Sequence, residues 1–349
     1  MNQTSFRIAT PAVALACALT ASGRADAQLT TELGGSVAFQ AGIFDNDKPG
    51  EIHRAFRTDV ELRLRVLGQM DNGTLYGSEI QLEVPDKTRT VVSMDEAYLF
   101  IAAKWGRIEV GDEDGAMPKM AIHAPSVGLG QLDGDYDQFT TESIQDLAAP
   151  FYAAASEKAT KITYYTPRYL GLQVGVSYAP QIDQGQNVVA QRTDPSDFLE
   201  GGINYVTEIG DVSLLGGATV VHSRNSGSGT SPGDTFGYQV GGQAGYAGVT
   251  IGGGYTNYDG ARGGIDAPGG IDDGFNVGAS FQDDSFAVGI QYARMWTTDG
   301  KVFDGIGPGV SYVLAPGLLI GADYVHYTSE LPTRKVQGDV LLLATRMSF

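Results

Sequence analysis

The sequence predicts an all-β protein: a sixteen-stranded antiparallel transmembrane β-barrel with one long loop folded inward. Three observations point to it. Apolar and polar residues alternate with period two from end to end, while helical periodicity is scarce. The connections alternate between short and long, as in a membrane meander. The chain ends on Leu341-Leu-Leu-Ala-Thr-Arg-Met-Ser-Phe349, a strand-like run that stops on an aromatic. Chain ends usually fray into solvent. A terminal strand that closes a sheet against its first strand removes both exposed edges.

The first 27 residues read as a secretory leader. Arg7 supplies a positive region, Ile8 to Thr20 an apolar one, and Ala25-Asp26-Ala27 a small-residue cleavage site before Gln28. The apolar run is shorter than the about 20 residues a helical span needs, and Pro11 interrupts it. A lipoprotein anchor at Cys17 would cut in mid-run and is the weaker reading. Cys17 is the single cysteine, so residues 28–349 have neither disulfides nor thiolate chemistry. No later segment is apolar enough for a helical span, which a barrel does not need, because its lipid-facing and lumen-facing residues alternate. The net charge of −18 argues against nucleic acid as a partner.

The strands follow in order. Leu29, Thr31, Leu33, Val37, Phe39 and Ile43 share one parity, with Thr30, Glu32, Ser36 and Gln40 on the other. The second strand is the clearest: Phe56, Val60, Leu62, Leu64 and Val66 oppose Arg57, Asp59, Glu61, Arg63 and Arg65. Aliphatics on one face and charges on the other suit lipid on one side and water on the other. Ile80, Leu82 and Val84 oppose Glu79, Gln81 and Glu83, and Leu172, Val174, Val176 and Tyr178 oppose Gln173, Gly175 and Ser177. Similar runs follow through Val220, Tyr238, Tyr246, Phe275, Phe286 and Tyr292. Within Val91–Ala103 either Ala97, Leu99 and Ile101 or Tyr98 and Phe100 face outward.

Short connections at Asp71-Asn-Gly73, Lys104-Trp-Gly106, Pro167–Leu170, Glu208–Asp211, Ala247-Gly248, Asp283-Asp284 and Ala315-Pro-Gly317 carry tight-turn chemistry. Long ones fall near 44–54, 85–91, 112–158, 180–197, 223–235, 259–272, 298–303 and 329–336. Such a meander places both termini on the short-turn, periplasmic side. A β-sandwich would not separate its loops by length, and a β-helix would show a short repeat, which is absent. Tyrosines near strand ends agree with aromatic girdles, although tyrosine is also a good strand residue.

The connection at 112–158 is the functional candidate, because structureless loops of that size are uncommon unless functional. A sixteen-strand barrel encloses an aqueous channel, and a loop folded inward narrows it. The loop carries Asp112, Glu113, Asp114, Asp133, Asp135, Asp137, Glu142 and Asp146 against Lys119 and His123.

Ala97-Tyr-Leu-Phe-Ile101 and Trp105-Gly-Arg-Ile-Glu-Val-Gly111 resemble the strand pair that leads into the constriction loop of the general porins of Gram-negative outer membranes. Lys161-Ile-Thr-Tyr-Tyr-Thr-Pro167 with Gly171-Leu-Gln-Val-Gly-Val-Ser-Tyr178 resembles their re-emergent hairpin. With the leader and Phe349 the resemblance spans the chain, though the Pro-Glu-Phe-Gly-Gly stretch of enteric porins is missing from the loop. The resemblance implies a homotrimer of water-filled pores for ions and small hydrophilic solutes, set in outer-membrane lipid and lipopolysaccharide. It implies an acidic loop facing a basic wall, whose transverse field selects by charge while size sets the limit. By parity the wall side falls to Arg57, Arg63, Arg65, Arg107, Lys161 and Arg346. The loop side falls to Asp133, Asp135, Asp137 and Glu142, with Asp112, Glu113 and Asp114 at its root.

No cofactor is expected. Asp133-Gly-Asp-Tyr-Asp137 offers calcium clustered oxygens, but the EF-hand pattern fails at Gln138 and Ile144. Rival functions are a substrate-selective channel for sugars or anions, a rim hydrolase, and a non-conducting structural barrel. The hydrolase would draw on His53, His123, His222 or His326, of which His222 adjoins Ser223, but no nucleophile elbow or metal-spaced pair is present.

Overall fold

The computed structural model describes residues 29–45, 53–83, 92–139, 151, 155–182, 195–224, 234–259, 271–297, 300–331 and 334–349. The leader, Glu142 and Asp146 lie outside them. The strands are β1 (Thr30–Asp45), β2 (Arg54–Gln69), β3 (Leu75–Glu83), β4 (Ser93–Ala103), β5 (Gly106–Asp112), β6 (Thr160–Tyr165), β7 (Leu172–Gln181) and β8 (Ser196–Ile209). They continue as β9 (Val212–Arg224), β10 (Thr235–Tyr246), β11 (Val249–Asp259), β12 (Ile271–Gln282), β13 (Phe286–Thr297), β14 (Val302–Ala315), β15 (Leu318–Leu331) and β16 (Arg334–Ser348). Each pairs antiparallel with its neighbours in sequence, and β1 closes on β16.

The closure runs from Ser36↔Ser348 to Asp45↔Asp339 and is extended by two backbone bonds between Gly35 and Phe349, 3.0 and 3.1 Å. The terminal Phe thus sits at the barrel seam. Leu341, Leu343, Met347 and Phe349 are exposed on the outer face, as lipid demands. No described helix is long and apolar enough to cross a membrane.

Turn chemistry explains the short side. Gly73 takes φ +83°, and the Asn72 side chain accepts the Thr74 N–H at 2.9 Å. Asp283 accepts from the Ser285 and Phe286 N–H groups, 2.9 and 2.8 Å, which hold its carboxyl below the usual range. On the other side the last connection is shorter than expected. β15 and β16 stay paired to Leu331↔Arg334, so Ser329–Glu330 and Lys335–Val336 are strand residues.

The open parity of β4 resolves with Leu99 outward (58% exposed) and Tyr98 inward (8%). An irregularity in the β3–β4 pairing, between Gln81 and Leu82, shifts the register there and blurs the alternation. Three tyrosines at strand ends, Tyr165, Tyr258 and Tyr327, are buried inside the barrel and belong to no girdle.

Candidate functional site: the passage between loop and wall

The described part of the long loop lies along the inside of the barrel. From β5 it forms the short helix α1 (Ala116–Met120), which packs on β6 to β9. It then follows the wall past β10 to β16 and reaches β1 through a 3-10 turn at Asp135–Phe139. Phe151 lies back at β10, and Ser156 at β8. Among the described residues the loop leaves most of the wall of β2 to β5 uncovered, so the passage runs between that wall and the loop.

Two features of the covered wall make this path fit. First, the strands put glycine where the loop crosses. A Cβ at Gly202 would stand 2.8 Å from Met120 Cβ, one at Gly254 2.7 Å from the Ile122 carbonyl oxygen, and one at Gly241 would overlap that oxygen. Second, a loop that pairs with no strand must satisfy its backbone elsewhere. Wall side chains do this. Asn276 accepts the Ala124 N–H at 2.6 Å, and Gln243 donates to the His123 carbonyl at 2.8 Å. Gln291 serves both Pro125 and Leu132, 3.2 and 3.1 Å. Asp323 takes the N–H groups of Leu129 and Gly130 on one oxygen, 3.0 and 2.9 Å. Glu200 binds both limbs of the loop base, through the N–H groups of Met117 (3.1 Å) and Ser156 (2.9 Å).

Apolar packing completes the attachment. Leu132, Tyr136, Phe139 and Phe151 of the loop bury against Phe44, Met295, Phe303, Tyr327, Val340 and Leu342 of the wall. Each such side chain contributes about 1.5–3 kcal/mol when fully buried.

The uncovered wall is charged. Arg63 and Arg65 both grasp Glu79, 3.2 and 2.6 Å, and Arg63 also meets Glu61 at 3.2 Å. Arg107 pairs with Glu109 and lies 3.9 Å over the Phe100 ring. From the loop, Lys119 reaches Glu109 at 3.1 Å and also contacts Glu113.

The sequence-derived residues are placed as follows. Arg57 and Asp135 meet across wall and loop at 2.9 Å, with Gln40 bonded to both. Arg63, Arg65 and Arg107 face the lumen but are held by wall carboxylates rather than by loop acids. At the root the polarity runs the other way, with a loop lysine on a wall glutamate. Lys161, expected on the pore wall, is 3% exposed and donates to the carbonyls of Glu113 and Glu157. It braces the loop base, because those carbonyls lack strand partners there. Arg346 is half-buried on the inner face, between Ala38 of β1 and Leu319 of β15 in the strand register.

Asp112 is buried and accepts from the Thr160 hydroxyl. Asp114 pairs with Lys158 at 2.9 Å. Burial disfavours the Lys158 charge, but Glu96 and Asp114 outweigh it and hold that amine above its usual range. Glu113 is 1% exposed, and burial together with the Glu109 carboxylate pushes its carboxyl upward against the pull of Lys119. Asp133 and Asp137 are half-buried on the loop, and Gln138 donates to Asp137 at 3.1 Å. Among the described residues no group of three His, Cys, Asp or Glu could hold a metal ion.

The histidines do not assemble a catalytic set. His222 and Ser223 point to opposite faces, the ring exposed and the hydroxyl buried. His326 bonds Asp339 at 2.8 Å, and His53 bonds the Phe44 carbonyl at 3.1 Å.

The sequence profile of Gram-negative porins matches residues 12–330. The chain belongs to that family. It is an outer-membrane porin. A protein of Rickettsia typhi is 22% identical over 90% of this chain and 88% of its own length. The chain spans half the length of a Rickettsia felis protein, 24% identical over 226 residues.

Among solved structures, the anion-selective porin from Comamonas acidovorans superposes with a TM-score of 0.65 at 16% identity. The match covers 92% of this chain and all of that one. OmpT, an outer membrane protein of Vibrio cholerae in a trimer form, gives 0.61 at 11% identity, over 92% and 99%. A mutant of the Rh. blastica porin gives 0.58 at 13%, over 92% and all of its chain. At these identities the likeness is one of fold.

Proposed function

We propose that this porin lets ions and small hydrophilic solutes diffuse passively between periplasm and exterior, selected by size and charge where the loop narrows the barrel. The observation that carries it is the loop laid along β6 to β1, with the charged wall of β2 to β5 left open to water. Among the described residues that arrangement narrows the lumen from one side, and opposite charges in a low-dielectric passage order polar solutes and penalise apolar ones. The channel reading is preferred to a rim hydrolase because each described histidine bonds a backbone carbonyl or Asp339.

The working unit is a homotrimer, by analogy with the trimer form among the structural neighbours. Both termini lie on the short-turn side and face the periplasm. The mature chain reconstituted in planar bilayers should give stepwise, ohmic conductance that falls as polymer solutes of increasing size enter the pore. A folded barrel with no current would overturn the reading. Crosslinking of the native oligomer before and after heating should convert a trimer band into monomer.

A further inference from the structure

We infer that the passage favours cations over anions, because its basic side chains are already held by carboxylates and further carboxylates face the same water. This rests on the channel reading above and names the ion class that the channel takes.

The inner wall carries more carboxylates than its cations need. Arg57 meets two carboxylates, Asp135 at 2.9 Å and Asp59 at 3.8 Å. Arg63 and Arg65 share Glu79, with Glu61 added on Arg63. Glu32 stands opposite Arg65 in the β1–β2 register. Arg107 and Lys119 both contact Glu109, and Lys119 also contacts the buried Glu113 carboxyl. Asp133 on the loop adds negative charge. Among the described residues Arg346 faces the lumen without an ion pair, and it lies toward the short-turn end, below the loop.

A permeating ion therefore meets paired arginines, whose fields largely cancel beyond the length of the pair, together with the surplus carboxylates. Low-dielectric walls focus that residual field into the water. The β2–β3 register sharpens it: Glu61 lies directly opposite Glu83 on the lumen face. Like charges across two strands are destabilising, and a mobile cation in the passage offsets that repulsion, whereas an anion deepens it. The net charge of −18 has the same sign. The structural likeness to an anion-selective porin is one of fold and does not carry its selectivity over.

The test is the reversal potential of the reconstituted mature protein in a KCl gradient at neutral pH. We expect a potential of cationic sign, with potassium several-fold more permeant than chloride. The preference should shrink at about 1 M salt, where the screening length falls to about 3 Å. Asp59→Asn, Glu61→Gln and Glu83→Gln combined should bring the permeability ratio toward unity while conductance persists. Arg63→Gln with Arg65→Gln should raise the ratio, and heat-dependent gel mobility identifies folded barrels in both variants. An anionic sign in the parent protein, or a ratio unmoved by the triple variant, overturns the inference and leaves the channel intact. Absence of current in a folded barrel overturns the channel reading itself, a different result.

Discussion

The two halves of the inner wall obey the same alternation and carry opposite contents. From β6 to β1 the inward positions are apolar side chains packed on the loop, with glycine, amides and a few carboxylates aimed at its backbone, as at Gly241, Gln243, Asn276 and Asp323. From β2 to β5 they include charges that reach water, as at Glu61, Arg63 and Arg107. The outer face is similar on both sides, with Leu64 and Ile80 exposed on one and Val174 and Ile290 on the other. Lipid thus dictates one face uniformly, while the inner face records what occupies it. Backbone needs small residues and hydrogen-bond partners; water tolerates charge.

The sharpest way to break this contrast is to remove a fastening from the covered wall. Asp323→Ala leaves the Leu129 and Gly130 N–H groups without their acceptor. A buried unpaired donor costs about 1–3 kcal/mol, so the pair should cost about 2–6 kcal/mol in loop attachment. The readout is larger or noisier single-channel current, with the loop cut earlier by protease. Unchanged current and protection would show that Asp323 fastens nothing.

Next in size is Gly241→Val. Its side chain would collide with the Ile122 carbonyl, which is backbone and cannot swing away. Overpacking of this kind costs about 1–3 kcal/mol, and it should lower the melting temperature or lift the loop. A glycine of the same barrel without a close neighbour, Gly216, serves as the control and should accept alanine quietly.

How far the contrast is legible in sequence follows from the same physics. Strand number and outward parity are readable because lipid punishes exceptions, and the second strand shows both faces at once in Phe56 to Val66. The path of the loop is not, because an inward glycine breaks no alternation. One signal did exist. Val340 to Leu343 is apolar at both parities, so an inward partner for Val340 and Leu342 was required, and the loop supplies it. Pairing inside the lumen was also hidden. Parity places Arg63, Arg65 and Glu79 on one face, but only the β2–β3 register puts Arg65 opposite Glu79. Lys161 shows the limit of parity: it faces inward, as read, yet the loop base covers it.

The open wall should answer in the reverse way. Arg63→Gln, Arg65→Gln and Glu79→Gln together remove both ion pairs without leaving the buried Glu79 carboxylate unpaired, and pairs whose arginines are this exposed are worth about 0–1 kcal/mol each. Melting should shift by about 2 kcal/mol or less, while ion selectivity moves plainly. A large loss of stability with unaltered selectivity would make this wall structural, and the contrast would fail.

The smallest effect tests the place where the two walls meet. Glu113 at the loop root is buried beside Glu109, and its carboxyl is pushed up to about 8. A folded-state value above the unfolded one means that the folded protein holds the proton more tightly. Its stabilisation is complete below the unfolded carboxylate range and is lost as pH rises through about 8. The root should therefore loosen between about pH 7 and 9, as the second carboxylate ionises beside Glu109 with only Lys119 between them. Glu113→Gln keeps the shape and removes the ionisation. Thermal melting of the parent should decline over that range, and the variant should decline less. Parallel pH profiles for the two proteins would place the titration elsewhere and leave Glu113 a spacer at the loop root.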